Sequence, residues 1–285
     1  MAPLMGTWQT YEPLIRLACF LGVFVLMAVL ETALPRRARA LDRGRRWPSN
    51  LGLVALGTVV VRLVFPITAM GVAMAAEARG VGLIPWLGLP PWAGVLAAVV
   101  LLDLAIYLQH VLFHAVPGLW RLHRMHHADL DFDVTTGLRF HPVEIILSMG
   151  LKLMVVVALG APPLAVLVFE VLLNATAMFN HANLRLPAAL DRVLRPLLVT
   201  PDMHRVHHSV VPRETNSNFG FNLALWDRLF GTYIAQPAAG HTAMTIGIPQ
   251  VRDPAELRLD RLLTQPLRDE QKESSFCEQK EAKKL

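Results

Sequence analysis

Five stretches of this chain are long and apolar enough to leave it few folds. Residues 14–34, 51–75, 92–116, 143–160 and 164–179 consist mainly of Leu, Val, Ala, Ile, Met and Phe. About 20 such residues make an α-helix that crosses a ~30 Å hydrocarbon core. A backbone in that core must satisfy its own hydrogen bonds. Hydrophobic residues form 54% of the 285, and charged residues only 17%. A soluble domain carries nearer ~25% charged residues. The length permits one or two domains, but the apolar runs consume most of it. The expected fold is all-α, an integral membrane helical bundle of about four to five segments with a cytosolic helical cap rich in histidine. One membrane-embedded unit is expected over residues 1–240, with a histidine core at about 103–233. Residues 241–285 read as a cytosolic tail, partly flexible, charge-rich and apolar-poor from 266 onward.

Topology follows from the charges. After the first run stand Arg36, Arg37, Arg39, Arg43, Arg45 and Arg46, with only Asp42 opposing them. The positive-inside rule makes this loop cytoplasmic and puts residues 1–11 on the other side. No basic stretch precedes the first run and no small-residue cleavage site follows it, so it reads as a retained helix. Arg62 interrupts the second run, which is costly unless it snorkels or finds a partner. A Gly/Pro-rich turn at 80–91 then sends the third run back to the cytoplasm. The last two runs flank Pro162 and read as a helical hairpin with its tip deep in, or across, the membrane. Its two ends, His141 and His181, return to the cytoplasmic side. Lys152 and Glu170 lie ten before and eight after Pro162, at matching depth, and are expected to pair. The net charge of +5 does not indicate nucleic acid, because the basic residues sit beside apolar spans as topology signals. Cys19 and Cys277 are too far apart in depth for a disulfide and form no C-x-x-C metal site.

The histidines carry the chemistry. His-x-x-His-His occurs twice, at His123, His126 and His127 and again at His204, His207 and His208. On a helix each triplet can aim three imidazoles at one place. His110 and His114 add a pair at i, i+4, in one stripe with Asp103 and Tyr107 that lipid would not solvate. His141 and His181 complete ten candidate metal ligands, while His241 receives no role. Ten imidazoles exceed one ion's coordination, so two ions with four to six ligands each are expected. Histidine-rich ligation suits redox-active iron, though zinc, copper and nickel also bind imidazole. Ligand histidines need partners for the other ring nitrogen; Asp103, Asp129, Asp202, Asn180, Asn183 and Glu144 are the candidates. No catalytic side chain is expected beyond the metal centre.

These elements, His-x3-His, His-x2-His-His, a His-Pro, Asn-His-x-Asn and a closing Asp-x-His-x2-His-His, resemble the fatty acid hydroxylase and sterol desaturase superfamily. Asn218-Phe219-Gly220 through Trp226-Asp227-Arg228-Leu229-Phe230-Gly231-Thr232-Tyr233 is similar to that family's closing motif. The resemblance implies a membrane di-iron oxygenase that uses O2 and external electrons to hydroxylate a lipid C–H bond, in a fatty acyl chain, a sterol or a related lipid. A desaturase with the same metal centre is the alternative within the family. A membrane metal transporter or sensor is the alternative outside it. Electrons are expected from a separate cytochrome b5 or ferredoxin/reductase partner, because His141-Pro142-Val143-Glu144 stands where a fused cytochrome b5 would show His-Pro-Gly-Gly. Ligands at the cytoplasmic helix ends would meet the lipid near its head group, so oxidation is expected nearer that group than the chain end.

Overall fold

The computed structural model describes residues 9–268. Cys277 and residues 269–285 of the expected tail lie outside them, as does most of the expected non-cytoplasmic start. The described residues are helical, with three isolated β-bridges and no strand. Five segments are long and apolar enough to cross a membrane: α1 (Glu12–Ala33), the broken segment Arg43–Leu87, α5 (Pro91–Ala115), α7 (Pro142–Leu159) and α8 (Pro163–Asn180).

The broken segment departs from the expected single run. It comprises α2 (Arg43–Val64), α3 (Ala69–Ala78) and the short α4 (Leu83–Leu87). Helix α2 starts earlier than the apolar run because Asp42 caps it, its carboxylate accepting from Gly44 N at 2.6 Å. It stops at Phe65, the residue before Pro66, where the proline ring disfavours helical backbone. Thr68 then caps α3, its hydroxyl accepting from Gly71 N at 3.1 Å.

The hairpin of α7 and α8 turns at Gly160, whose φ of +59° is the left-handed helix cap that glycine adopts freely. A Cβ on Gly160 would lie 2.3 Å from Val81 O, and one on Gly82 would lie 2.1 Å from Gly160 N. The hairpin tip is thus pressed against the turn joining the second and third spans, and reaches the same end of the bundle. Helix α8 is the hub: Ala165, Val166 and Phe169 are fully buried against Ala73, Ala98, Leu102 and Val156.

At the other end the arginine loop is built into the fold. Arg46 donates to Asp129 at 2.7 and 2.8 Å and to Asp133 at 2.6 Å, all fully buried. Burial by itself raises the Asp129 pKa; Arg46 and then Arg139 outweigh it and hold the carboxyl well below its usual range. Glu31 at the end of α1 accepts from Val134 N and Asn183 N at 3.0 and 3.1 Å and from Arg43 at 2.7 Å. The first span is therefore tied to both polar loops that carry histidines.

Met244, Ile246, Ile248, Val251, Leu257 and Leu262 are buried, and the chain runs back across α6 (Pro117–His127). Arg121 and Arg124 donate to the carbonyls of Pro266 and Gln265 at 2.8 and 2.7 Å. The segment after residue 240 is held down because these arginines need acceptors and it carries apolar residues to bury.

Lys152 and Glu170 do pair, and Arg16 of α1 joins them, 2.6 Å from the same carboxylate. Removing the shared anion leaves Lys152 without its partner and Arg16 with Glu12 alone, whereas removing one cation leaves the other in place. Glu170→Gln is expected to cost about 3–5 kcal/mol, as for a buried pair broken from one side. Lys152→Met should cost less, and the double variant less than the sum of the two. Unfolding of purified protein in detergent would measure all three, and simple additivity would reject the coupling.

Candidate metal centre

Three helices and the end of a fourth deliver the clustered histidines. His110 and His114 come from the end of α5, and His123, His126 and His127 from α6. His181 caps α8; His204 and His207 lie on α10 (Pro201–His207, after α9, Ala188–Leu194), with His208 as its C-cap. Nine of the ten candidates converge into two adjoining groups. His110, His114, His123, His127 and His207 offer ligand atoms within 4.8 Å of one another, and so do His126, His181, His204 and His208. The rings of His127 and His208 join the groups at a centroid separation of 4.5 Å.

Neither triplet aims at one place. Each straddles both groups: His123 and His127 face one while His126 faces the other, and His204 and His208 face one while His207 faces the other. Helix geometry dictates this. At about 100° per residue, positions i and i+4 lie within about 40° of each other, while i+3 and i+4 diverge by about 100°.

The stripe expected on α5 does turn inward, with Asp103, Tyr107 and His110 buried. The burial that gathers the imidazoles also strips their protons. Burial first, then neighbouring imidazoles, push His126, His127, His204, His207 and His208 well below the ordinary histidine range. His181 falls to about 3, again chiefly through burial. Neutral imidazole is the metal-binding form.

Hydrogen bonds at the rim fix which nitrogen carries the remaining proton. The Nδ1 atoms of His110, His126, His181 and His207 lie 2.7, 3.1, 2.7 and 2.7 Å from the carbonyls of Phe219, Arg139, Ala177 and Ser217. A carbonyl only accepts, so each Nδ1 donates and each Nε2 keeps a bare lone pair. His123 Nδ1 donates to Glu144 Oε1 at 2.7 Å, and His114 Nδ1 to Asn216 Oδ1 at 3.2 Å. Yet His110 Nε2 lies 3.1 Å from His123 Nε2, and His181 Nε2 lies 3.2 Å from His126 Nε2. Two bare lone pairs at such distances repel, and a cation between them removes the repulsion. Buried Nε2 atoms of His114 and His207 and both ring nitrogens of His208 have no hydrogen-bond partner among the described residues. The donor set therefore fits metal ions, one in each group.

His141 stands apart. Its Nδ1 accepts from Val143 N at 3.2 Å, capping α7, and its Nε2 meets Leu263 O at 3.2 Å. It joins neither group, because capping the helix turns its ring along the helix end. Of the expected supporting residues, only Glu144 touches a clustered histidine. Asp103 accepts from Asn222, Leu223 and Trp226 at 2.8, 3.2 and 2.8 Å, and Asn180 donates to Phe221 O at 3.0 Å. Both thus hold the loop that presents the Phe219 carbonyl to His110. Asn183 binds the backbone of Arg37, and Asp202 pairs with Arg36 and Arg205. Asp129 binds Arg46 instead. The sequence reading missed the carbonyl partners, since backbone acceptors leave no trace in residue type. It also missed Asp227, which accepts from Phe219 N and Gly220 N at 2.7 and 2.9 Å. Its place in the closing motif was the available signal.

Because Glu144 fixes His123 between two neighbours, Glu144→Ala is expected to weaken metal binding about 10–100-fold. Glu144→Gln, which retains an acceptor, should recover part of this. Metal titration of the stripped protein checks it, and equal affinity in all three would remove Glu144 from the site.

Residues 95–232 match the family model described as fatty acid hydroxylase. The ornithine lipid hydroxylase of Rhizobium tropici is 31% identical over 153 residues, 53% of this chain and 45% of that protein. The alkylglycerol monooxygenase of Xenopus tropicalis is 31% identical over 137 residues, 47% of this chain and 29% of that protein. Human cholesterol 25-hydroxylase is 29% identical over 140 residues, 48% of this chain and 50% of that protein. The chain thus covers half or less of each of these relatives. No solved structure matches it. The match to the fatty acid hydroxylase family thus lies in residues 95–232, which contain all nine clustered histidines.

Proposed function

We propose that this protein is a membrane di-iron oxygenase that hydroxylates a C–H bond of a lipid, using O2 and electrons from a separate donor. The observation that carries the reading is the pair of histidine groups with bare nitrogens turned toward one another. Iron bound there would supply the O2 activation and C–H cleavage that no side chain performs.

The chain's own residues do the rest. His110, His114, His123, His127 and His207 would hold one ion, and His126, His181, His204 and His208 the other. The carbonyls of Phe219, Arg139, Ala177 and Ser217 and the Glu144 carboxylate keep the rim nitrogens protonated, so the ring orientations are set before metal arrives. Phe132, Phe140, Phe219 and Phe221 pack against the imidazoles at ring separations of 4.6 to 5.6 Å and exclude water from the centre.

Hydroxylation is favoured over desaturation because the relatives above are named as hydroxylases and monooxygenases. Clustering at helix ends, rather than along a path through the bundle, speaks against transport. Arg36, Arg37 and Arg46 bond Asp202, Asn183 and Asp129, each within two residues of a clustered histidine, so the positive-inside rule supports a cytoplasmic centre. There a cytochrome b5 or a ferredoxin-type partner can reach it.

Untargeted lipid mass spectrometry comparing wild type with a His126→Ala, His207→Ala double variant tests this, alongside metal analysis. The expected outcome is two irons per wild-type chain and an O2-dependent lipid product one oxygen heavier, both lost in the variant. Loss of two hydrogens instead would make the protein a desaturase. Full metal content with no O2-dependent lipid change would overturn the oxygenase reading.

A further inference from the structure

Below the histidines lies a cavity of about 390 Å³ between α1, α2, α7 and α8. This is toward the small end of ligand pockets, roughly 300–1,000 Å³, and suits one hydrocarbon chain rather than two. Its upper wall is shared with the metal centre. Gly137, Leu138 and Phe140 line it, and the Phe140 ring stacks on His126 at 4.6 Å and 8°. Gly137 lies so close to His181 that a Cβ there would sit 3.0 Å from His181 Nδ1. The middle of the cavity is apolar, with Phe20, Val54, Ile145 and Met149.

Its far end is charged. Glu12, Arg16, Arg62, Lys152 and Glu170 all line it. Arg16 pairs with both glutamates and Lys152 pairs with Glu170, which accounts for both carboxylates. Three cations meet two anions, and Arg62 has no hydrogen bond or ion pair among the described residues. An arginine within a membrane span is costly without a partner. Lys152 follows the His141 cap by eleven residues, so this end lies about 16 Å below the histidine level along α7.

We infer that the cavity is the substrate's seat and that Arg62, backed by Arg16 and Lys152, holds an anionic group, carboxylate or phosphate, at one end of a lipid. The chain of that lipid then runs up toward Phe140 and the group formed by His126, His181, His204 and His208. Oxidation falls on carbons remote from the anionic group. This reverses the expectation from the sequence that oxidation lies near the head group. The inference rests on the oxygenase reading for its chemistry, but its binding half stands apart from it.

The test uses metal-loaded protein in nanodiscs of phosphatidylcholine, without reductant. Palmitate, hexadecyl phosphate, hexadecanol and dipalmitoyl phosphatidylglycerol are the probes, with binding read by native mass spectrometry. Palmitate and hexadecyl phosphate should bind at least about tenfold tighter than hexadecanol, one charge-assisted contact's worth. Arg62→Met should remove most of that preference while leaving hexadecanol binding unchanged, and Arg62→Lys should keep most of it. Met149→Trp, which fills the cavity, should weaken the binding of all three single-chain probes while metal content stays whole. Palmitate binding above the two-chain phosphatidylglycerol would identify a free single-chain anion as the ligand source, and the reverse order would overturn the one-chain seat. Equal binding of palmitate and hexadecanol in wild type, or an unchanged preference in Arg62→Met, would overturn the inference. With reductant and O2 restored, oxygen on a carbon beside the carboxylate would overturn it as well. Charge-selective binding with no oxidised product would keep the pocket and reject the oxygenase reading. A product formed without charge preference would do the opposite.

Discussion

A neutral imidazole carries one proton, and nine imidazoles share one enclosed space. Crowded this closely, the rings must each be oriented. Orientation comes from the rim, where carbonyl and carboxylate acceptors claim the Nδ1 protons of His110, His123, His126, His181 and His207. Every element that supplies such an acceptor must then be held still, and much of the polar architecture does that. Arg46 fastens the 129–136 loop, Glu31 fastens Val134 and Asn183, and Asp103 and Asp227 fasten the 219–227 loop.

The arginines after the first span have two roles for one physical reason. Their charge keeps that loop out of the bilayer, and the same charge needs acceptors once the loop is packed. Asp129, Asp133, Asp202 and Glu31 provide them. A topology signal thereby becomes the base on which the centre stands. On the bilayer side the charges that cannot be avoided are gathered around Glu170, which leaves Arg62 as the cation not neutralised there.

Much of this was legible in the residues. Apolar lengths gave the five spans, proline and glycine gave the hairpin, and the offsets of Lys152 and Glu170 from Pro162 gave their pairing. The histidine set was legible apart from His141, whose ring is used as a helix cap. Less visible was everything mediated by backbone. The second run broke at Phe65 because of a local preference that its hydropathy masks, and the segment after 240 folded back to serve Arg121 and Arg124.

Residue spacing was enough to say that many imidazoles gather at one end of a membrane bundle, because period and apolar length are local properties. How they divide was not local. A triplet's three rings leave their helix in different directions, and which group each enters depends on where α5, α8 and α10 stand around α6. The polarity of the cavity is likewise a property of packing. Glu12, Arg62, Lys152 and Glu170 lie far apart along the chain, and only the antiparallel arrangement of their helices brings the charges to one end and Phe140 to the other.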